Sequence, residues 1–150
     1  MTGGHAERTD LKGMTVPEMT GFFAGWGQEQ YRARQISRWI YRKHADDFAA
    51  MTDLAKSFRD RLADTCRISA PPAERVETSS DGVEKILFRL EDGEGIESVL
   101  IPDEDRRTLC ISSQVGCALD CSFCATAQQG FNRNLDTAEI VGQVWLASRL

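Results

Sequence analysis

The sequence contains three cysteines within eight residues, Cys117, Cys121 and Cys124, in the run CALDCSFC. So short a loop can place three thiolates around one small inorganic centre and leave one coordination position open. Structural zinc normally takes four protein ligands, yet no second C-x2-C pair follows, and the two histidines, His5 and His44, lie far upstream. The spacing also differs from the common ferredoxin patterns, which recruit a fourth cysteine. The array therefore indicates an iron–sulfur cluster with one reactive iron, and a zinc or redox site is the alternative for the cysteines alone.

The residues around the array carry a more specific signal. The C-x3-C-x2-C spacing, with the aromatic Phe123 before the last cysteine, is similar to that of the radical S-adenosylmethionine (SAM) superfamily. The longer run TLCISSQVGCALDCSFCATAQQGFNRNL, from Thr108 to Leu135, resembles one family within it, the RlmN-type adenine-C2 methyltransferases of ribosomal and transfer RNA. The C8-methylating enzyme Cfr shares the cluster loop but not AQQGFNRNL. The resemblance therefore favours the C2-methylating family.

The resemblance implies two cofactors, a 4Fe-4S cluster and SAM. Cys117, Cys121 and Cys124 would ligate three irons, SAM would bind the fourth, and Phe123 would lie in the same cofactor-binding loop. In this superfamily, one electron cleaves SAM to a 5′-deoxyadenosyl radical, and that electron comes from a donor such as flavodoxin. Radical chemistry is needed because adenine C2–H is neither acidic nor nucleophilic; the cofactor supplies this step while the protein supplies the geometry.

Two residues outside the array match catalytic positions of the same family. Cys110, seven residues before Cys117, matches the cysteine that releases the product by forming a disulfide with a methyl-carrying cysteine. Glu97, in GIESVLIP, matches a carboxylate assigned as proton acceptor, and a buried strand carboxylate is costly unless it is used or paired. The sequence alone leaves simpler explanations open for both residues: Cys110 as a small buried apolar residue, and Glu97 as a solvent-facing acid. Cys66 has no matching motif and is interpreted as structural.

The charge of the chain is unevenly distributed. The 150 residues carry a formal net charge of −5, but residues 31–62 carry +4 and residues 74–105 carry −8. The basic residues of the first segment are solvated helix faces or contacts to RNA phosphates. The run from Gly27 to Tyr41 resembles the helical N-terminal domain of RlmN-type enzymes, which implies contact with 23S ribosomal RNA and transfer RNA. The basic residues are Arg32, Arg34, Arg38, Arg42, Lys43, Lys56, Arg59 and Arg61.

The sequence shows no signal for export or membrane insertion. The start, MTGGHAERTD, has neither an apolar h-region nor a cleavage site, and no apolar run approaches the roughly 18 residues of a membrane span. Five cysteines without an export signal indicate metal or redox chemistry in a reducing compartment. We therefore expect a cytoplasmic protein without membrane contact.

The sequence from Thr15 to about Leu62 predicts three helices. The first begins with a capping box, in which Thr15 caps the helix and Glu18 occupies the reciprocal position. The second is expected over residues 30–44. The third is expected to begin near Thr52, with apolar residues four apart from Leu54 onward.

The hydrophobic period changes after Ala70-Pro71-Pro72-Ala73. Residues 85–90 and 96–101 alternate as two strands joined by a glycine-containing turn, which predicts a hairpin. A further strand over residues 107–112 is expected to lead into the cysteine loop. The last helix opens at Thr137.

These elements predict a chain that combines an α+β fold with the start of an α/β fold. A small helical RNA-contacting domain would cover residues 1–72, and a second part would cover residues 73–150. The second part would hold a β-hairpin extension and the first βα unit of a partial (βα)6 radical-SAM barrel. The expected function is methylation of adenine C2 in 23S ribosomal RNA and transfer RNA. Its methyl-carrying cysteine would lie beyond Leu150, so we expect the chain alone to be inactive. A non-catalytic RNA-binding module and a zinc- or redox-binding domain are the competing interpretations.

Overall fold

The computed structural model describes residues 8–119, 122, 128 and 130–149. The chain divides into two compact units, Met1–Ser69 and Ala70–Leu150, which we call the helical unit and the sheet unit. No helix in the described part of the chain is long and apolar enough to cross a membrane.

The helical unit contains the helices α1 (Val16–Ala24), α2 (Tyr31–Arg42) and α3 (Lys56–Thr65). The predicted capping box begins α1: Thr15 Oγ1 accepts from the Glu18 N–H, and the Glu18 carboxylate accepts from the Thr15 N–H. The second helix lies within its predicted range. The third begins four residues later than predicted, because a 3-10 turn at Phe48–Ala50 and the loop after it bury Met51 and Leu54 before the helix starts.

The three helices enclose the core of the helical unit. Ala33, Ile36 and Ile40 of α2 are buried at the spacing of one helix face. A two-stranded parallel sheet, β1 (Thr9–Asp10) with β2 (Cys66–Arg67), joins the two ends of the unit. Cys66 is 1% exposed, and burial raises the pKa of its thiol, as expected for a structural cysteine.

A four-stranded antiparallel sheet forms the main part of the sheet unit. Its strands lie in the order β3 (Ala73–Thr78), β4 (Glu84–Arg89), β5 (Gly95–Asp103) and β6 (Arg106–Cys110). The predicted hairpin is confirmed as β4 and β5, with one further strand on each side. On one face Ile86, Phe88 and Ile96 are buried in the core, and the residues that alternate with them along the strands point to the opposite, more exposed face.

Two short strands and a helix complete the sheet unit: β7 (Gln114–Gly116), β8 (Phe131–Asn134) and α4 (Thr137–Ala147). The prediction that one strand over residues 107–112 enters the cysteine loop is wrong. That strand, β6, ends at Cys110, and β7 leads into the loop. The ladder stops because the peptide of Ser112 hydrogen-bonds to the Gln143 side chain instead of to a strand.

The partial barrel stays a prediction. Parallel strands form a (βα) barrel, whereas every strand pair described in the sheet unit is antiparallel. The last helix does begin at Thr137 as predicted, with Asp136 and Glu139 forming a second capping box.

Candidate functional site

A short antiparallel ladder holds the two ends of the cysteine loop together. β7 pairs with β8, and the Cys117 N–H donates to the Gly130 carbonyl at 3.1 Å. At Gly116, where φ is +72°, a Cβ would lie 1.7 Å from the Gly130 oxygen, so only glycine permits this approach. We call this closed base, Gln114–Cys117 with Gly130–Asn134, the neck.

Cys117 lies at the neck as a half-buried free thiol. The Leu119 N–H donates to its Sγ at 3.5 Å, and hydrogen bonds to cysteine sulfurs are among the factors that set the potential of iron–sulfur centres. A thiol in a closed loop with a backbone donor aimed at its sulfur fits the ligand of a cluster. The other predicted cluster residues, Cys121, Cys124 and Phe123, lie outside the described residues.

The two predicted catalytic residues, Cys110 and Glu97, lie on the same exposed face of the sheet. Cys110 of β6 pairs with Val99 of β5, and Glu97 is two residues from Val99, so all three point to one side. Diagonal neighbours of this kind are about 7–8 Å apart in an antiparallel sheet. The fold therefore brings together two residues that are 13 positions apart in the chain.

The Glu97 side chain is exposed rather than buried. It is 53% exposed, and one of its oxygens lies 3.4 Å from Lys85 Nζ. Lys85 also lies 3.4 Å from Glu77, whose carboxylate pairs with Arg75 at 2.9 Å. The desolvation argument for a functional carboxylate therefore does not apply, because this face of β5 is the one turned away from the core. Its role depends on the family match and on its position near Cys110.

Arg133 ties the neck to two other elements of the sheet unit. Its guanidinium donates to both carboxylate oxygens of Glu139 in α4 at 2.8 Å, and to Asp92 in the β4–β5 turn at 2.8 Å. The hydrogen bonds from Arg133 lower the pKa of Glu139. The pKa of Asp92 is also lowered, first by the hydrogen bond from the Glu94 N–H and second by the one from Arg133. Asn132 next to it donates to Glu94 of the same turn at 2.8 Å. The sequence placed Arg133 within the run from Thr108 to Leu135 but indicated none of these partners.

Replacing Glu139 by Gln is expected to remove a pH-dependent part of the stability of the sheet unit. Because folding lowers the Glu139 pKa below its ordinary 4.5, the contribution is present above that pH and is lost as pH falls through the folded-state pKa. We expect a loss of about 1 kcal/mol at pH 7, allowing for the partial exposure of Arg133, and a smaller loss at pH 3. Urea unfolding at both pH values measures the difference.

Asp105→Asn is the matched control, because Asp105 is an exposed acid outside this network. It should change stability equally little at both pH values. A Glu139→Gln effect of the same size at pH 3 and pH 7 would contradict the assignment of the ion pair as its cause.

Gln143 of α4 is a polar residue of the core that sequence reasoning missed. It is fully buried; Oε1 accepts from Ser98 Oγ at 2.8 Å and from the Ser112 N–H at 2.9 Å. Its Nε2 donates to the Ser112 carbonyl at 2.9 Å and to the Glu139 carbonyl at 3.3 Å. The available signal was a glutamine in the apolar helical run IVGQVWLA, since a buried amide requires partners.

In the helical unit, three exposed arginines line a groove. Arg34, Arg38 and Arg42 recur every four residues along α2, which separates neighbours by about 6 Å along the helix axis. The groove consists of two cavities, of about 570 and 260 Å³, that share Val16 and Arg34 in their walls. Tyr31, 54% exposed, lines the larger one. Across the described residues none of the three arginines forms an ion pair, so the row presents unneutralised positive charge.

Known proteins resemble this chain in both units. A family model described as the ribosomal RNA large subunit methyltransferase N-terminal domain matches residues 9–68. Proteins named dual-specificity RNA methyltransferase RlmN are 54% identical over 143 residues in Geotalea uraniireducens and 56% identical over 140 residues in Geobacter sulfurreducens. The protein of that name in Marinobacter nauticus is 47% identical over 149 residues.

These alignments include 95%, 93% and 99% of this chain, but 42%, 39% and 40% of the three relatives, so the chain spans about two fifths of their length. A crystal structure of a radical SAM methyltransferase from Sphaerobacter thermophilus matches with a TM-score of 0.85 and 44% identity. That match covers 94% of this chain and 42% of the other. The chain contains the N-terminal domain of the RlmN family over residues 9–68, and along most of its length it is similar to proteins named RlmN.

Proposed function

We propose that this chain is the part of a radical-SAM RNA methyltransferase that holds the iron–sulfur cluster, presents Cys110 and contacts RNA. The observation that carries the proposal is the neck, which closes the base of a three-cysteine loop and leaves the Cys117 sulfur with a backbone donor. The names of the relatives, which are RNA methyltransferases, supply the reaction class.

Cys117, together with Cys121 and Cys124, would hold a 4Fe-4S cluster, and Phe123 would pack within the same loop. When bound, the cluster supplies the electron that cleaves SAM, and that electron would come from a donor such as flavodoxin. The neck keeps both ends of the loop fixed. The cysteine ligands would therefore keep their positions when SAM binds. Arg133 supports this by anchoring β8 to α4 and to the β4–β5 turn.

Cys110 and Glu97 would act on the substrate from the exposed face of the sheet. Cys110 would attack the sulfur of the methyl-carrying cysteine, so that an S–S bond forms and the S–C bond to the product carbon breaks. Glu97 would accept the proton that leaves the substrate. The methyl-carrying cysteine has no counterpart among the five cysteines of this sequence, so turnover would require a residue that the sequence does not contain.

The proposed substrates are adenosines of 23S ribosomal RNA and transfer RNA, methylated at C2. The word dual-specificity in the names of the relatives supports two RNA classes. The arginine row of α2 supports contact with a phosphate backbone, because guanidinium groups at regular spacing recognise phosphates without regard to sequence.

Anaerobic reconstitution with iron and sulfide tests the cluster. We expect about four irons per chain and an EPR signal of the reduced cluster that SAM perturbs. Cys117→Ala should lose this iron, because two remaining thiolates cannot hold the cluster in the closed loop. Cys110→Ala should retain it, since Cys110 lies on the sheet outside the array.

Other outcomes favour the competing interpretations. Zinc in anaerobic preparations, in place of iron, would indicate a zinc or redox domain. No metal, with RNA binding intact in the Cys117→Ala variant, would indicate an RNA-binding module.

A further inference from the structure

We propose that Gln143 is a positioning residue that fixes the distance between Cys110 and the cluster loop. The inference rests on the proposed function, because it concerns the geometry between Cys110 and the cluster that Cys117 would hold. The observation behind it is that the buried Gln143 side chain hydrogen-bonds to the backbone of Ser112, which lies in the connection between β6 and β7.

Residues 111–113 form the only direct covalent link between the sheet, which carries Cys110, and the neck, which carries Cys117. They belong to no strand, so rotations about their backbone bonds would move the neck relative to Cys110. Gln143 restrains the central residue of this link, because its amide accepts from the N–H of Ser112 and donates to the carbonyl of Ser112. Both polar groups of that residue's backbone are thereby held by one side chain. The Leu135 N–H donates to the carbonyl of the next residue, Ser113, at 2.9 Å.

Gln143 is itself held from two sides. Ser98 Oγ of β5 donates to the same Oε1 that accepts from Ser112, so β5, the link and α4 meet at one buried atom. Ser112 Oγ in turn donates to the Glu97 carbonyl at 2.7 Å, which ties the link to the strand that carries Glu97. The network therefore reaches the backbone of one predicted catalytic residue and lies two positions from the other.

A purely structural role would be met by an apolar side chain. Methionine has nearly the volume and length of glutamine and would fill the same space in the core, but it can neither donate to nor accept from the Ser112 peptide in this way. The presence of glutamine at position 143 is therefore explained by the need to hold the backbone of Ser112 in one conformation. Because methionine fills the space of the fully buried glutamine, it leaves no room for a water that could take over these hydrogen bonds.

Gln143→Met tests the proposal in the reconstituted chain. A gadolinium(III) chelate, which the cluster's reductant does not reduce, is attached to Cys110 through a thioether after cluster loading, when Cys66 is buried and the three cysteines of the array are engaged. Relaxation enhancement by the reduced cluster then gives the distribution of distances from Cys110 to the cluster. We expect this distribution to be at least about twice as wide in Gln143→Met as in the unmodified chain, at equal iron content.

Two further variants make the result specific. Val144→Ala changes the exposed neighbour of Gln143 on α4 and should leave the distribution unchanged. Gln143→Leu also lacks a donor and an acceptor for the Ser112 backbone, and it replaces Gln143→Met if that variant does not fold. An unchanged distribution in a folded, iron-loaded variant at position 143 would overturn the proposal.

Hydrogen exchange at the Ser112 amide separates this proposal from the proposed function. If the unmodified chain takes up no cluster, the proposed function fails, and exchange still reports whether Gln143 holds the link. Exchange at least roughly tenfold faster in the position-143 variant, with β4 and β5 amides unchanged, supports the positioning role. Equal exchange in the two proteins rejects it.

Discussion

Replacing Gly116 by alanine is expected to open the neck and to destabilise the sheet unit by more than about 3 kcal/mol. Two costs combine: a φ of +72° strains an L-residue by about 1–2 kcal/mol, and a Cβ at 1.7 Å from the Gly130 oxygen forces the two strand ends apart. Native-state hydrogen exchange of the sheet unit measures the loss, with the Cys117 amide as the local reporter. Iron uptake should fall as well, because Cys117 follows the disrupted position directly.

Gly130→Ala is the matched control, because it adds the same methyl group at a φ of +73° in the same neck, where no described residue lies within 4 Å of the new Cβ. It should cost only the backbone strain, about 1–2 kcal/mol. Equal losses of stability in the two variants would mean that the strands separate at Gly116 at little cost. The close approach of Gly116 to the Gly130 carbonyl would then contribute nothing to holding the loop.

Features encoded by neighbouring residues could be predicted from the sequence. The capping box of Thr15 and Glu18 depends on a spacing of three residues, and both the cap and the helix that follows are where the pattern indicates. The β4–β5 hairpin depends on alternation around one turn and is likewise confirmed. The cysteine array predicts an iron–sulfur cluster because metal ligation restricts residue type and spacing together, and this stays a prediction because Cys121 and Cys124 lie outside the described residues.

Features that depend on distant partners could not be predicted. The exposure of Glu97 is decided by which face of β5 packs on the core, and alternation alone does not say on which face a carboxylate in an apolar strand lies. The end of β6 at Cys110 is decided by Gln143, 33 residues later, whose amide takes the Ser112 peptide out of the ladder. Arg133 was recognised as part of a motif, but its bonds to Asp92 and Glu139 require the folded neck.

The triple variant of Arg34, Arg38 and Arg42 to Gln is expected to bind a transfer RNA transcript on the order of 100-fold more weakly at 0.1 M salt. Each arginine–phosphate contact releases counterions, so that log K falls with log salt by about 0.7–0.9 per contact. Losing three contacts should make the slope shallower by about 2 to 3. Fluorescence anisotropy over a range of salt concentrations measures the affinity and the slope together.

The control for the arginine row removes three positive charges elsewhere, with Arg8, Arg106 and Arg107 changed to Gln. All three are exposed, and none lines the groove beside α2. The net charge becomes the same as in the triple arginine variant, so long-range attraction to RNA falls similarly, while specific phosphate contacts at the row remain. If both variants lose the same affinity and the same slope, the groove is not an RNA site, and the positive charge of the chain acts only as a diffuse field. A loss confined to the arginine row assigns the groove to the phosphate backbone, because only contacts at that surface distinguish the two proteins.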